Sequence, residues 1–184
     1  MKNTIRTLAL VAIFASPSLT SAQQKTTPVS FGVSGGLSAP VGDLGKGVDA
    51  GYVVAGHIWF NPASFTSVGF RGDVSYDNWK TKTGNVNFRS LGFTANALIH
   101  PAVSKSTVVP YLIGGGGFYN TKSYLSKPYT SSSSGTSSNF GLQGGGGIEF
   151  KLSGFSTFAE AKFVNVFTNG NATNWVPITF GVRF

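Results

Sequence analysis

Few residues of this chain could do chemistry. His57 and His100 are the only histidines, and there is no cysteine. A histidine base needs a nucleophile within hydrogen-bond reach, but no serine motif adjoins His57, and His100 precedes Pro101 in an expected turn. No cluster of His, Cys, Asp and Glu has the spacing of a metal site. The sequence therefore predicts no catalytic residue, no metal and no cofactor.

Charged residues occur at every second position of several segments, on the face that also carries Ser, Thr and Asn. The set is Arg71, Asp73, Asp77, Glu149, Lys151, Glu160, Lys162 and Arg183. Opposite charges on one inward face compensate each other. The pattern predicts an interior salt-bridge network. The alternative, a gated ion path, needs more space than a narrow interior provides.

Two four-glycine runs, 114–117 and 144–147, are the most unusual stretches. A phosphate-binding loop would continue with Lys and then Ser or Thr, but Phe and Ile follow the runs instead. Aromatic and aliphatic residues on both sides place the glycines inside strands of one hairpin. The register that sets the runs opposite each other pairs Tyr111 with Phe150, Ile113 with Ile148 and Tyr119 with Leu142.

The elements that carry these residues are eight segments of alternating apolar and polar residues, which is the period of a β-strand. They cover 29–38, 52–60, 66–77, 90–99, 108–120, 139–151, 155–167 and 175–184. No helix is expected. The first, third, fifth and seventh links are long and polar, and the others are short, as in a membrane barrel with long outer loops and short periplasmic turns. We therefore predict an all-β, eight-stranded antiparallel up-and-down transmembrane β-barrel.

The apolar face has to be the outer one. An eight-stranded barrel has an interior that side chains only just fill, and the apolar face carries most of the 16 Phe. Aromatic residues near the strand ends would form two girdles at the membrane surfaces. The girdles would comprise Tyr52, Tyr76, Trp79, Tyr119 and Trp175 near the long loops, and Phe60, Phe65, Tyr111, Phe150 and Phe184 near the turns.

The N-terminus predicts export. Lys2 and Arg6 precede an apolar run and the small-residue site Thr20-Ser21-Ala22, the layout of a signal peptide. We expect residues 1–22 to be cleaved and residues 23–184 to form one barrel domain. The formal net charge is +8. Its scattered lysines and arginines indicate anionic lipid or polysaccharide as partners and no nucleic acid.

The sequence resembles the OmpA/OmpX-like small outer-membrane β-barrels of the OMP_b-brl type. The motifs that carry the resemblance are PYLIGGGGFY, FGLQGGGGIEF followed by FAEAKF, and the terminal PITFGVRF. The resemblance covers the mature chain and implies a place in the cell outer membrane of a Gram-negative envelope. It also implies that Phe180, Val182 and Phe184 form a signal for the barrel-assembly machinery.

The expected role is structural or one of surface interaction, in adhesion or envelope integrity, through extracellular loops. Candidate contacts with lipopolysaccharide or a surface or host ligand are Lys46, Lys80, Lys82, Lys122, Lys127, Tyr124 and Tyr129, since Lys pairs with phosphate and Tyr anchors interfaces. One alternative is a lipid A-modifying hydrolase of the deacylase-barrel type, which would need His and Ser together on the lipid-facing wall. The other is a soluble lipocalin-like binding barrel.

Overall fold

A computed structural model describes residues 28–62, 67–82, 86–100, 106–125, 136–168 and 173–184. Eight antiparallel strands close into one barrel, each pairing with its sequence neighbours and the first with the last. They are β1 (Val29–Val41), β2 (Gly51–Phe60), β3 (Val68–Lys80), β4 (Val86–Ile99), β5 (Val108–Leu125), β6 (Thr136–Lys151), β7 (Ser156–Val166) and β8 (Thr173–Arg183). The predicted fold class is confirmed. The expected signal peptide, residues 1–22, lies outside the described residues.

The two faces of the wall follow the alternation of the sequence. On β1, Phe31 and Leu37 are 60% and 65% exposed, whereas Ser34 and Ser38 are 9% and 0% exposed. Successive side chains of a strand point to opposite faces, so apolar residues cover the outside and small polar residues line the lumen. The outward apolar face confirms the prediction for a membrane barrel and is the reverse of a soluble lipocalin-like barrel.

The register of β5 against β6 differs from the prediction. Gly114 pairs with Gly144, and Tyr111 pairs with Gly147 rather than with Phe150. The odd-numbered residues of β5 consequently face the lumen, and Tyr111 is only 5% exposed.

The two glycine runs are staggered by three residues, and the stagger moves Phe118 from the inner to the outer face. In the predicted register, Phe118 would share the inward face with Gln143 and Glu149. In the observed register, Gln143 lies opposite Gly115, and Phe118 lies opposite Phe140 on the lipid side. The barrel keeps both polar residues away from lipid, where an unpaired polar group is costly.

The links between strands alternate between the two ends of the barrel, here called the loop end and the turn end. The loop end holds links 42–50, 81–85, 126–135 and 167–172; the turn end holds links 61–67, 100–107 and 152–155. The predicted contrast of long and short links is wrong for 81–85 and 167–172, which are shorter than the turn-end links 61–67 and 100–107. Link 81–85 is short because β3 and β4 extend and stay paired as far as Lys80 and Asn87. Link 42–50 also contains a six-residue helix, α1 (Gly42–Gly47), which the sequence did not predict.

Four of the aromatic residues predicted for the membrane girdles lie in the lumen instead. They are Trp79, Tyr111, Tyr119 and Trp175, which are 1–5% exposed. Each occupies an inward position of its strand; Trp79, for example, follows the inward-facing Asp77 by two residues. Tyr52, Phe60, Phe150 and Phe184 do lie on the outside, and Phe65 lies outside the described residues.

Within the described ranges, the chain has no helix long and apolar enough to cross a membrane.

Candidate functional site

Arg71 is the centre of the lumen network. Its guanidinium donates to both carboxylate oxygens of Glu160, at 2.7 and 2.8 Å, and to both of Asp73, at 2.7 and 3.0 Å. These three side chains are at most 2% exposed. Glu160 is on β7 and Arg71 on β3, so the bond spans the lumen. Paired contacts between a guanidinium and a carboxylate are the strongest geometry available to these groups.

Three further side chains join the network. Nζ of Lys162 lies 3.3 Å from Oδ2 of Asp73 and 3.4 Å from Oε1 of Glu160. The Tyr111 hydroxyl donates to Glu160 at 2.8 Å, and the Asn96 amide donates to Asp73 at 3.1 Å. Two cationic groups thus face two carboxylates, and the charges compensate each other away from water.

Ser34, His57 and Asp73 form a hydrogen-bonded line across β1, β2 and β3. Nδ1 of His57 lies 2.8 Å from Oδ1 of Asp73, and Nε2 lies 2.8 Å from Oγ of Ser34. Because a carboxylate only accepts, Nδ1 of His57 donates to Asp73, and Nε2 pairs with the serine hydroxyl. This is the order of contacts in a Ser-His-Asp triad. No local sequence pattern indicates a serine beside His57, because strand pairing brings Ser34 there.

The space beside this line is too small for an acyl substrate. Ser34, His57, Asp77 and Lys162 contribute to the lining of a cavity of about 20 Å³, which is room for one water molecule. The line also faces the lumen, whereas the lipid A hydrolase alternative requires Ser and His on the lipid-facing wall. The arrangement therefore orders the interior of the barrel.

An aromatic cluster, here called the loop-end plug, fills the lumen towards the loops. It consists of Val48, Trp79, Tyr119, Val164, Val166 and Trp175. Trp175 packs edge to face against Trp79 and Tyr119, with ring centroids 5.3 and 5.4 Å apart. The indole of Trp79 donates to the backbone carbonyl of Ser38 at 3.1 Å, and the Tyr119 hydroxyl donates to Gln143 at 3.1 Å.

A second cluster, the turn-end plug, fills the opposite half with Trp59, Leu98, Tyr111, Ile113 and Phe158. The ring of Trp59 lies near two guanidinium groups, at 5.4 Å from Cζ of Arg71 and 5.1 Å from that of Arg183. Such contacts between a cation and an aromatic ring are favourable when desolvated. The charge network lies between the two plugs, and together they fill most of the described lumen.

The structure brings together Arg71, Asp73, Glu160 and Lys162 of the predicted network. Asp77 is buried nearer the loop end and accepts a hydrogen bond from Ser38 at 2.7 Å. Glu149 and Arg183 form a separate pair at 3.3 Å towards the turn end. Lys151 does not join the network: it is the last residue of β6 and lies exposed at the rim, because the strand ends there and its side chain reaches solvent.

Two of the candidate ligand contacts form hydrogen bonds with the first loop. Lys46 donates to Asp43 at 2.8 Å within α1, and Lys82 donates to the carbonyl of Gly45 at 3.0 Å. The hydrogen bond and the charge of Lys46 lower the pKa of Asp43, and those of Asp43 raise the pKa of Lys46. Both bonds lie on the exposed surface of the loop end.

Other candidate contacts were predicted in loops but lie on strands. Lys80 belongs to β3, and Lys122 and Tyr124 belong to β5, because these strands extend beyond their predicted ends. Sequence reasoning missed Arg89, which stands directly opposite Lys122 on β4. Lys127 and Tyr129 lie outside the described residues.

The expected assembly signal lies on the outside of β8 and just beyond it. Phe180 and Phe184 are 69% and 67% exposed, and Val182 shares their outward face. The backbone of Phe184 exchanges hydrogen bonds of 2.8 and 3.2 Å with Phe31 of β1. The C-terminal residue thus takes part in closing the barrel.

The lumen contacts that the sequence did not predict are made by polar residues that belong to no recognisable motif. Ser34, Asn96, Gln143 and Tyr111 each bond to a residue of another strand. The only available signal was their position on the inward side of an alternating strand. In the described part of the chain, no group of three His, Cys, Asp or Glu residues could hold a metal ion.

A closed barrel with an apolar exterior and a polar, filled lumen is an integral membrane β-barrel. The chain matches the family described as outer membrane protein beta-barrel domain over residues 7–184. It therefore belongs to this family, and its place is the cell outer membrane. Both findings confirm the expectations drawn from the sequence.

Solved structures show the same fold. Neisserial surface protein A is 13% identical with a TM-score of 0.64, over 85% of this chain and 96% of that chain. A major outer membrane protein from Thermus thermophilus is 13% identical with a TM-score of 0.57, over 86% and 99%. Ail, the attachment invasion locus protein of Yersinia pestis, is 16% identical with a TM-score of 0.52, over 85% and 97%. It is also known in complex with the heparin analogue sucrose octasulfate. Curated protein sequences gave no significant match.

Proposed function

We propose that this protein is a non-catalytic outer-membrane barrel that acts in adhesion or envelope integrity through the surface of its loop end. The observation that carries the proposal is the filled lumen. Arg71 and Glu160 bond across it at 2.7 Å, between two hydrophobic plugs. A barrel whose lumen is filled by its own side chains has its outer surface and its loops available for function.

The loop end has the chemistry for an anionic partner. Lys46, Lys80 and Lys82 are exposed there, and an ammonium group pairs with phosphate or sulfate oxygens. Ail has been solved with a sulfated sugar, and we carry that ligand class over as a hypothesis. Lipopolysaccharide phosphates and a polyanionic surface or host ligand are the proposed partners. Lys127, Tyr124 and Tyr129 remain candidate contacts.

Export and assembly complete the proposal. Residues 1–22 would direct the chain across the inner membrane. Phe180, Val182 and Phe184 would be recognised by the barrel-assembly machinery, because an outward apolar face that ends the last strand is accessible before the barrel closes.

Link 126–135 is the part to test. We would replace it with Asn-Gly, which makes a two-residue turn between antiparallel strands, and measure adhesion of expressing cells to a heparin-coated surface. The control shortens link 100–107 at the turn end in the same way. Both variants should migrate differently on a gel before and after boiling, as a folded barrel does. The proposal expects loss of adhesion only for link 126–135, and equal adhesion of both variants favours a purely structural role.

A further inference from the structure

Small outward residues of neighbouring strands lie side by side on the wall formed by β4 to β7. Gly114 of β5 has Ala97 of β4 and Gly144 of β6 as its direct partners. A Cβ on Gly114 or Gly144 would have its nearest neighbour 3.9 or 3.8 Å away. The wall therefore has a depression that faces lipid, here called the hollow. It comprises Ala95, Ala97, Gly114, Gly116, Gly144, Gly146 and Ala161.

The strand register shows which outward residues lie at the same depth in the membrane. Direct partners, followed once around the barrel from Phe31 of β1, lead through the other seven strands to Val41 of β1. Val41 lies ten residues nearer the loop end than Phe31, so this is the stagger of the barrel. A path at constant depth has to move ten residues towards the turn end as it crosses the eight strands in sequence order.

One such path meets small residues on seven strands and a large residue on the eighth. It takes five steps of two residues and closes on itself through Gly35, Gly56, Gly72, Ala95, Gly114, Gly144, Ala161 and Phe180. These residues form a belt at one depth, and Phe180 is 69% exposed. Its direct partners are Gly35 and Ala159. The ring of Phe180 therefore projects beyond its neighbours.

The projecting ring and the hollow match when two copies of the chain share a membrane. Both copies have the same orientation and depth, so Phe180 of one copy stands at the height of the hollow of the other. In lipid, protein surfaces associate through van der Waals packing, and small residues let them approach closely. Elsewhere the belt is too narrow for a ring; Gly56, for example, lies between Val33 and Val74.

We propose that copies of this protein associate side by side in the outer membrane, with Phe180 of one copy seated in the hollow of the next. The two surfaces lie on different strands, so the contact is head to tail. A contact four strands wide and as tall as the apolar band covers about 500 Å² on each copy. Stable complexes of soluble proteins bury about 800 Å² on each partner. The association is therefore reversible, and it does not depend on the adhesion role proposed above.

Energy transfer between labelled barrels in phospholipid vesicles tests the contact. The chain has no cysteine, so Lys46→Cys on the exposed first loop provides a single site for a donor or an acceptor dye. The mature barrels are refolded into vesicles without assembly machinery, which separates this role of Phe180 from its expected role in assembly. Transfer should exceed the value for randomly placed barrels. Phe180→Ala and Gly114→Leu should each weaken association about fivefold, the factor that corresponds to about 1 kcal/mol.

Phe60→Ala and Gly56→Leu are the matched controls. Phe60 is an exposed outward ring away from the belt, and Gly56 is a belt glycine outside the hollow. Both variants should show the same transfer as the wild type. Losses in these controls equal to those in Phe180→Ala and Gly114→Leu would overturn the proposal. Transfer at the random value in the wild type would also overturn it, because lipid acyl chains would then cover the hollow.

A mixture of the two variants tests the head-to-tail geometry. A Phe180→Ala barrel keeps its hollow, and a Gly114→Leu barrel keeps its projecting ring. Donor-labelled Phe180→Ala and acceptor-labelled Gly114→Leu should therefore show more transfer than either variant by itself, because one intact contact forms between them. A mixture without this gain would overturn the proposal. Where Gly114→Leu fails to fold, Gly144→Leu fills the same hollow, and the comparison of the wild type with random placement needs neither variant.

Discussion

The ring of Tyr111 lies so close to Gly147 that a Cβ on the glycine would stand 2.5 Å from both Cζ and the hydroxyl oxygen. Tyr111 and Gly147 are direct partners on β5 and β6. Trp59 likewise lies close to Gly32 on the neighbouring strand β1, where a Cβ would lie 2.7 Å from the indole ring. Large side chains fit into this narrow lumen because glycines on neighbouring strands leave room for them.

Gly147→Ala should destabilise the barrel by about 1–3 kcal/mol, the usual cost of overpacking. The added methyl group has to displace the Tyr111 ring, which holds Glu160 through its hydroxyl. Urea unfolding in lipid vesicles, followed by tryptophan fluorescence, measures the change. Gly144→Ala is the control, because its Cβ would face lipid with its nearest neighbour 3.8 Å away. A stability change of equal size in both variants would contradict the packing explanation.

Arg71→Met should lower the free energy of unfolding by about 3–5 kcal/mol, because it leaves two buried carboxylates without their main partner. The same unfolding experiment measures it. Lys46→Met removes a cation whose pair with Asp43 is exposed to solvent and should leave the unfolding midpoint unchanged, since exposed pairs contribute little. If Arg71→Met unfolds at the wild-type midpoint, the network is not what holds the lumen together.

Ser34→Ala should lower the free energy of unfolding by about 1 kcal/mol, because the hydrogen bond to His57 is lost. Cells that express this variant should contain the same lipid A as cells that express the wild type. Mass spectra of lipid A from cells that express the wild type, the variant or neither protein provide the measurement. An acyl chain that is absent only in wild-type cells would show that the Ser34, His57 and Asp73 line is catalytic. That result would reject the non-catalytic role proposed above.

His100, at the turn end, should make stability depend on pH. Burial lowers the pKa of His100 below its usual value of about 6.5, with Arg183 and Lys151 acting in the same direction and Glu149 against it. The folded state then binds this proton less readily than the unfolded state. Its contribution to stability is full above about pH 6.5 and is lost as the pH falls through the folded pKa. Urea midpoints at about pH 7.5 and about pH 5 should differ less in His100→Gln; an unchanged difference would contradict this assignment.

The number of strands and the outward position of the apolar face could be predicted, because each depends on local alternation. On β3, Phe70 and Val74 alternate with Arg71 and Asp73, and only one face of such a strand tolerates lipid. The same reasoning failed on β5, where the aromatic rings of Tyr111 and Tyr119 and the aliphatic side chain of the outward Leu112 could each face lipid. Alternation of one apolar class with another leaves the face undetermined until the partner strand fixes it.

The sequence predicted which residue types line the lumen, but not which of these residues meet. An inward charge set was expected, and Arg71, Asp73, Glu160 and Lys162 do meet. Lys151 carries the right alternation but lies beyond the end of the filled lumen. Arg89 was missed because the predicted fourth strand began one residue after it.

By itself, the sequence determined eight alternating strands, an apolar exterior and a lumen with charges of both signs. It could do so because a period of two depends only on neighbouring residues within one strand. Only the tertiary structure decided which residues meet across the lumen. Ser34 reaches His57, Trp79 reaches Trp175 and Arg71 reaches Glu160 because strand register and closure of the barrel set those distances, and no local pattern encodes either one. The same holds for Arg89 and Lys122, which become a pair of like charges only through the pairing of β4 with β5.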